Sequence, residues 1–318
     1  MTPVKIGILD DFQDVTRKIA DWGRLPPHAA VTIFNRHFEG EELIRQIALF
    51  DVLVITRERT PMTRAVIERL PNLKLLVTAG WRNLGIDMAA CRERGILVCG
   101  TEAGSSPTAE LAWGLILAAA RHIAKEDHAL RTGQWQSTIG FSLKDKTLGI
   151  LGLGRLGAQM ARIGNAFGMK IIAWSQNLTA ERAAEAGATR VDKSELFALS
   201  DVLTIHLLLS DRTRGLVGRD EIALMKKSAI LVNTARAAIV DESALIDALT
   251  AGKIAGAGLD VYSREPVPPD APILAAPNTV LTPHLGYVTQ ETYGIYFPQA
   301  LEVIEAWLSG APIRIIAD

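Results

Sequence analysis

The sequence predicts an α/β protein built from two Rossmann-like domains, with a dinucleotide-binding domain inserted into a discontinuous substrate domain. Three observations carry this expectation. Short apolar runs alternate with helical patterns along the chain, a GxGxxG turn sits in the second series of runs, and a further helical segment follows the last of them. The expected boundaries are residues 1–100 with 287–318 for the substrate-binding domain and 101–286 for the dinucleotide-binding domain.

In the first unit, Val4–Leu9, Ala30–Phe34, Val52–Ile55, Leu75–Thr78 and Leu97–Cys99 are apolar or β-branched runs of strand length, separated by helical patterns such as Glu41–Ala48. Pro107–Ile123 reads as one long helix, amphipathic at first and then wholly apolar. The second unit follows with Thr147–Leu151, Lys170–Trp174, Val202–His206, Ile230–Asn233, Gly256–Leu259 and Val280–Thr282 as strands, and Leu156–Phe167 as the helix after the glycine turn. Glu291–Leu308 is then a helix that returns to the first unit. A small substrate is expected in the cleft between the two domains.

Composition narrows the class. The chain has 318 residues, 48% of them hydrophobic, and a formal net charge of -1, enough for two cores and without the basic excess of a nucleic-acid binder. The apolar stretch in MTPVKIGILDD is too short for a signal peptide and reads as the first strand. Leu111–Ala120, bracketed by Glu110 and Arg121, is too short to cross a bilayer, so no membrane association is expected and the location is read as cytoplasmic. Cys91 and Cys99 fit neither a disulfide framework nor a metal motif; buried thiols and no metal site are expected.

The glycines belong to LGILGLGRLG at 148–157. Gly152 would allow the tight turn, Gly154 would let the backbone approach a pyrophosphate, and Gly157 would let helix pack on strand, with the helix N-terminus facing the anion. Three glycines alone are a weak signal; their place between a strand and a helix gives them meaning.

Further along, Arg236 in VNTARAAIVDESAL follows the run Ile230–Val232 and stands at a strand's C-terminal end, where its fork suits a carboxylate or simply decorates a loop. Asp260 and Glu265 in GAGLDVYSREP lie after another strand, where either is also a capping residue. His284 in VLTPHLGYVT follows Pro283 at a third strand end. A lone histidine there is usually structural, but Arg, Glu and His at successive strand ends form a constellation that suits acid–base chemistry on an anionic substrate.

With these segments the chain resembles the D-isomer-specific 2-hydroxyacid dehydrogenases, the group that holds phosphoglycerate dehydrogenases and glyoxylate and hydroxypyruvate reductases. TAGWRNLGIDMAA, SPTAELAWGLILAAAR, GILGLGRLG, SDVLTIHLLLSDRTRGLVG, NTARAAIVDESAL, AGLDVYSREP and TPHLGYVT carry the likeness in order. The resemblance implies hydride transfer between NAD(P)H and a small 2-keto or D-2-hydroxy acid, in a homodimer joined through the Pro107–Ile123 helix and the Gly133–Trp135 segment. It implies that His284 is the acid/base, that Glu265 is its partner, orienting the ring and stabilising its positive charge, and that Arg236 holds the substrate carboxylate. Backbone N–H groups around Gly80, Trp81 and Arg82 would complete that carboxylate pocket. On the cofactor side it assigns Arg155 and Leu156 to the phosphate turn with Gly152, Gly154 and Gly157, Asp260 to the carboxamide, and His206, Thr213, Thr234 and Ala235 to the groove.

Three departures stand out. Ser175 occupies the place, about 20 positions past the glycines, where an acid normally binds the ribose of NAD. No arginine follows within two positions and Arg182 is the nearest, so NAD and NADP both stay open. Ala237 stands where the family has glycine, and Leu208 where it has proline. With the chain ending at Asp318, the C-terminal regulatory domain of some phosphoglycerate dehydrogenases is not expected, nor is serine feedback. The alternative function is a dinucleotide-sensing, corepressor-like binding protein, since such proteins share the fold. Formate dehydrogenase, a second alternative, carries glutamine where this chain has Glu265.

Overall fold

A computed structural model describes residues 3–102 and 107–317. The chain divides into two compact units, Met1–Ser105 with Thr289–Asp318, and Ser106–Val288. Ser106, which opens the SPTAELAWGLILAAAR segment, lies outside the described residues.

In the first unit, β1 (Val4–Ile8), β2 (Ala29–Ile33), β3 (Val52–Ile55), β4 (Leu75–Thr78) and β5 (Leu97–Gly100) form a parallel sheet of order β2-β1-β3-β4-β5. β3 and β4 are buried at every position, as expected of parallel strands covered on both faces, which is why β3 is wholly apolar and β4 is apolar up to Thr78. The long helix Gln290–Leu308 belongs to this unit, and the tail after it pairs with β5 through the Gly100 N–H to the Arg314 carbonyl (3.0 Å) and the Ile316 N–H to the Val98 carbonyl (2.9 Å). Cys91 and Cys99 are buried and unbridged, and burial pushes each thiol up to about 11.

The second unit contains β6 (Thr147–Leu151), β7 (Lys170–Trp174), β8 (Thr189–Arg190), β9 (Val202–Ile205), β10 (Ile230–Asn233), β11 (Gly256–Leu259) and β12 (Thr279–Leu281). They make a seven-stranded parallel sheet of order β12-β11-β10-β9-β6-β7-β8. From β6 the chain first adds β7 and β8 on one side, then crosses to add β9 to β12 on the other. The β6/β9 boundary is therefore the switch point, and ligands of such sheets bind beyond the carboxyl ends of the strands there.

One expected element is corrected. The helix read as Pro107–Ile123 ends earlier, at Thr108–Ala120, and a second helix runs Ile123–Arg131. His122 separates them at φ 52°. The Ala120 carbonyl takes the Phe141 N–H at 3.0 Å, so a returning segment supplies the bond that ends the first helix. Among the described residues, no helix is long and apolar enough to cross a membrane.

Candidate active site

The glycine turn begins at the end of β6. Gly152 takes φ 105°, a conformation that favours glycine, and its N–H donates to the Trp174 carbonyl at 2.9 Å. A Cβ on it would lie 2.8 Å from the carbonyl carbon of His206, the residue after β9. A Cβ on Gly157 would lie 2.2 Å from the Gly152 carbonyl oxygen, so the helix Arg155–Ala166 packs on the turn at a distance only glycine permits. Gly154, the helix N-cap, is different: a Cβ there meets nothing within 4 Å. Space is kept open in front of the first helical N–H groups, beside the exposed Arg155. Leu156, by contrast, is partly buried and packs into the core between this helix and the sheet.

Polar atoms at the neighbouring strand ends await a partner. The His206 Nε2 and the Thr204 hydroxyl are hydrogen-bonded at 2.8 Å, while the Nδ1 is buried with no hydrogen-bond partner among the described residues. Burial lowers the His206 pKa to about 4, so the ring is neutral at physiological pH. The Thr234 hydroxyl, just past β10, is likewise buried and unbonded among the described residues. Buried polar groups are rarely left unmatched, and orphans at a switch point suit a polar ligand. Thr213 is committed differently: its hydroxyl donates to the Leu208 carbonyl (2.7 Å) and accepts from the Ser210 N–H (2.8 Å), closing the loop on which Leu208 stands 73% exposed. Ser175 is partly exposed at the end of β7 and makes no side-chain hydrogen bond among the described residues.

β10 leads to Arg236. Asn233 folds the turn, accepting the Ala235 N–H at 3.0 Å and donating to the Arg236 carbonyl at 3.1 Å. The partly buried Arg236 guanidinium donates to the Ala235 carbonyl at 2.7 Å. Ala237 begins a short 3-10 helix, Ala237–Ile239, and is not among the residues with positive φ, so the methyl group costs no backbone strain there.

His284 and Glu265 come from different strand ends and meet. His284 Nδ1 lies 2.5 Å from Glu265 Oε2, and Glu265 Oε1 accepts the Tyr262 N–H at 2.9 Å. The ring therefore turns Nε2 away from its partner. His284 itself sits at φ 54°, an unusual backbone for a non-glycine residue, and the surroundings hold it there. Asp260 is the main support. It is 0% exposed, and its carboxylate accepts the Thr282 hydroxyl (2.6 Å), the Leu285 N–H (2.7 Å) and the Gly286 N–H (2.8 Å), gripping both sides of His284. Burial raises the Asp260 carboxyl above the ordinary carboxylate range, and the three donors pull against it. The Thr108 hydroxyl, from the helix Thr108–Ala120, donates to the Gly286 carbonyl at 2.8 Å.

Asn233, Tyr262 and Thr282 were not singled out in the sequence. Asn233 acts through bonds within its own turn, whereas the Thr282 hydroxyl reaches Asp260 and the Tyr262 hydroxyl reaches the Thr282 carbonyl, about twenty residues away, and local pattern carries no record of those partners.

In the first unit, the loop Gly80–Arg82 follows β4. The Gly80 N–H donates to the Thr101 hydroxyl at 2.9 Å, and Asn83 donates to the Arg57 carbonyl (2.6 Å) and the Thr78 hydroxyl (2.9 Å). Trp81 and Arg82 are exposed, and their backbone N–H groups have no partner among the described residues.

Residues 113–286 match the family model described as D-isomer specific 2-hydroxyacid dehydrogenase, NAD binding domain. The chain belongs to the D-isomer specific 2-hydroxyacid dehydrogenase family. It is 42% identical over 320 residues to a glyoxylate reductase of Aeropyrum pernix, covering 97% of this chain and 90% of that one. It is 44% identical over 255 residues to a D-3-phosphoglycerate dehydrogenase of Methanocaldococcus jannaschii, covering 79% of this chain and 48% of that protein. The match thus spans about half the length of that longer relative. A phosphoglycerate oxidoreductase from Vibrio cholerae O395 superposes with a TM-score of 0.92 at 39% identity, covering 97% of this chain and 100% of the other. The second unit of this dehydrogenase-family chain is accordingly an NAD-binding domain, and its open Gly154 face and orphaned His206 and Thr234 atoms fit that cofactor.

Proposed function

We propose that the protein is an NAD(P)-dependent oxidoreductase that interconverts a small 2-keto acid and the corresponding D-2-hydroxy acid. The observation that carries this reading is the His284–Glu265 contact of 2.5 Å at Nδ1, which leaves Nε2 as the ring atom able to exchange a proton with substrate. The bound nicotinamide supplies or accepts the hydride. In the reducing direction, His284 Nε2 gives a proton to the carbonyl oxygen as negative charge builds on it, and in the oxidising direction it takes the hydroxyl proton back. Glu265 holds the ring's orientation and stabilises its positive charge. Arg236 binds the substrate carboxylate and polarises the carbonyl, and Gly80, Trp81 and Arg82 are assigned to substrate binding through their backbone N–H groups.

On the cofactor side, Gly152, Gly154, Arg155, Leu156 and Gly157 form the phosphate turn, with Ser175 beside the adenosine ribose. His206, Thr213, Thr234 and Ala235 line the groove. Asp260 acts by anchoring the His284 loop next to the carboxamide position.

A homodimer is part of this reading. Ile123, Leu130, Trp135 (77% exposed) and Ile139 (95% exposed) are exposed apolar residues within one stretch of the second unit, an arrangement that favours burial against a second copy. Sedimentation equilibrium of the wild type and of Trp135→Asp tests it, with a shift toward monomer expected in the variant.

The activity is tested by the initial rate of absorbance loss at the reduced nicotinamide band, with NADH and NADPH separately against glyoxylate, hydroxypyruvate, pyruvate, phenylpyruvate and 2-ketoisocaproate. A rate with any pair supports the oxidoreductase and ranks its substrates. Dinucleotide binding without turnover across the panel would point instead to a binding protein.

A further inference from the structure

At the end of β7 the chain turns through Ser175, Gln176, Asn177 and Leu178, closed by the Leu178 N–H to the Ser175 carbonyl at 3.0 Å. β6 and β7 are in register up to Leu151 and Trp174, so this turn stands directly beside the glycine turn, to which the Gly152 N–H ties it. In an NAD site a carboxylate occupies this place: it accepts the two ribose hydroxyls and repels a 2′-phosphate. Here no residue from Lys170 to Ala180 is acidic. The side chains of Ser175, Gln176 and Asn177 make no hydrogen bond among the described residues, so all their donors are available.

Positive charge borders the turn on two sides. Arg155 opens the helix after β6, and Arg182 stands in the first turn of the helix Ala180–Glu185, which the turn feeds through the Thr179 cap. Both are exposed, and neither has an ion-pair partner among the described residues. Arg190 fixes the turn from β8, donating from Nε to the Leu178 carbonyl at 3.0 Å. The first carboxylate further along, Glu181, is engaged by its own backbone N–H and the Thr179 hydroxyl.

Building on the NAD(P)-dependent reading, we propose that this turn is a 2′-phosphate subsite, in which Ser175, Gln176 and Asn177 donate hydrogen bonds and Arg182 supplies charge, so that the protein binds NADPH at least as tightly as NADH. Arg155 faces the phosphates that both cofactors share and does not discriminate between them. Selectivity is thus set by an absence and a presence: no carboxylate repels the dianion, and an uncommitted guanidinium attracts it.

The test measures binding rather than turnover. Dissociation constants for NADPH, NADH, 2′,5′-ADP and 5′-AMP are determined by calorimetry on the full chain. The wild type is expected to bind NADPH at least as tightly as NADH, and 2′,5′-ADP roughly tenfold or more tighter than 5′-AMP, as expected for a charge-assisted contact. Ser175→Asp should weaken NADPH by roughly thirtyfold or more, through like-charge repulsion, and NADH far less. If that variant does not fold, Gln176→Asp on the exposed neighbour makes the same comparison. Arg182→Ala should weaken NADPH and 2′,5′-ADP and leave NADH unchanged. NADH binding tenfold tighter than NADPH in the wild type, or equal losses for both cofactors in the aspartate variant, would overturn the subsite while leaving the dinucleotide reading intact. Failure of either dinucleotide to bind would overturn both.

Discussion

Glu265 touches His284 at Nδ1 with one carboxylate oxygen and the Tyr262 N–H with the other, so the acid that orients the ring is itself oriented by the backbone three residues before it. Removing the imidazole should stop proton transfer without disturbing the phosphate turn. His284→Asn is expected to lower kcat by roughly 10²–10⁴-fold, the range for loss of a general acid, with the dissociation constant for dinucleotide little changed. Glu265→Gln keeps the shape but loses the charge, and a smaller fall in kcat is expected, with cofactor affinity again preserved. Steady-state rates together with fluorescence titration of reduced cofactor check both variants, and near-wild-type turnover in His284→Asn would remove the histidine from the mechanism.

Gly154 and Gly157 should respond oppositely to the same added methyl group. At Gly154 a Cβ enters open space, so Gly154→Ala should melt near the wild-type temperature yet bind dinucleotide far more weakly, because the methyl occupies the approach to the pyrophosphate. At Gly157 the Cβ would fall 2.2 Å from the Gly152 carbonyl oxygen, so Gly157→Ala should destabilise the fold by roughly 1–3 kcal/mol or more as helix and turn separate. Thermal melts and cofactor titrations on both variants distinguish the two effects.

Asp260 carries three donors on two oxygens. An asparagine offers one oxygen and turns its amide group toward a donor, leaving at least one buried N–H unmatched. Asp260→Asn is therefore expected to cost about 2–4 kcal/mol in chemical unfolding, using the usual cost of an unsatisfied group beside a lost charged hydrogen bond. It should also reduce kcat by releasing His284 from its φ of 54°. Wild-type stability and kcat in this variant would show that the loop holds its shape without the carboxylate.

His206 predicts an acid limit to stability. Its folded pKa, about 4, lies below the unfolded value of 6.5. The unfolded chain thus binds the extra proton first as pH falls. The stability is complete above the unfolded value and declines progressively from there down to about 4, a gap equivalent to roughly 3 kcal/mol. Urea unfolding at pH 7.5 and pH 4.5 should show a smaller loss for His206→Gln than for the wild type. Equal losses would remove His206 as a source of the acid sensitivity.

Most strands of both units were legible because parallel strands buried on both faces are mostly apolar, as β3 (VLVI) is throughout and β4 (LLVT), β6 (TLGIL) and β10 (ILVN) are at most positions, whereas the exposed two-residue β8 (Thr189–Arg190) carried no such signal and was not expected. The glycine turn was legible because its spacing follows a strand and opens a helix, and the structure shows close steric limits at Gly152 and Gly157 and open space at Gly154. The break at His122 was not, because the bond that ends the first helix comes from Phe141, about twenty residues away, and local pattern carries no record of it. Asp260 was legible as a residue at a strand end but not as the clamp of the His284 loop, since its three donors lie beyond the following strand.

By itself, then, the sequence determined most element types, the alternation that makes each sheet parallel, the dinucleotide turn and the placing of Arg236, Glu265 and His284 after successive strands, because these depend on local periodicity and on residue chemistry. Only the tertiary structure decided the strand order that places the switch point at β6/β9, the 2.5 Å meeting of Glu265 with His284, and the buried atoms of His206 and Thr234 left without partners. Those follow from long-range pairing of strands, and the energy of a hydrogen bond or a desolvated ring depends on neighbours that come together only when the sheet has formed.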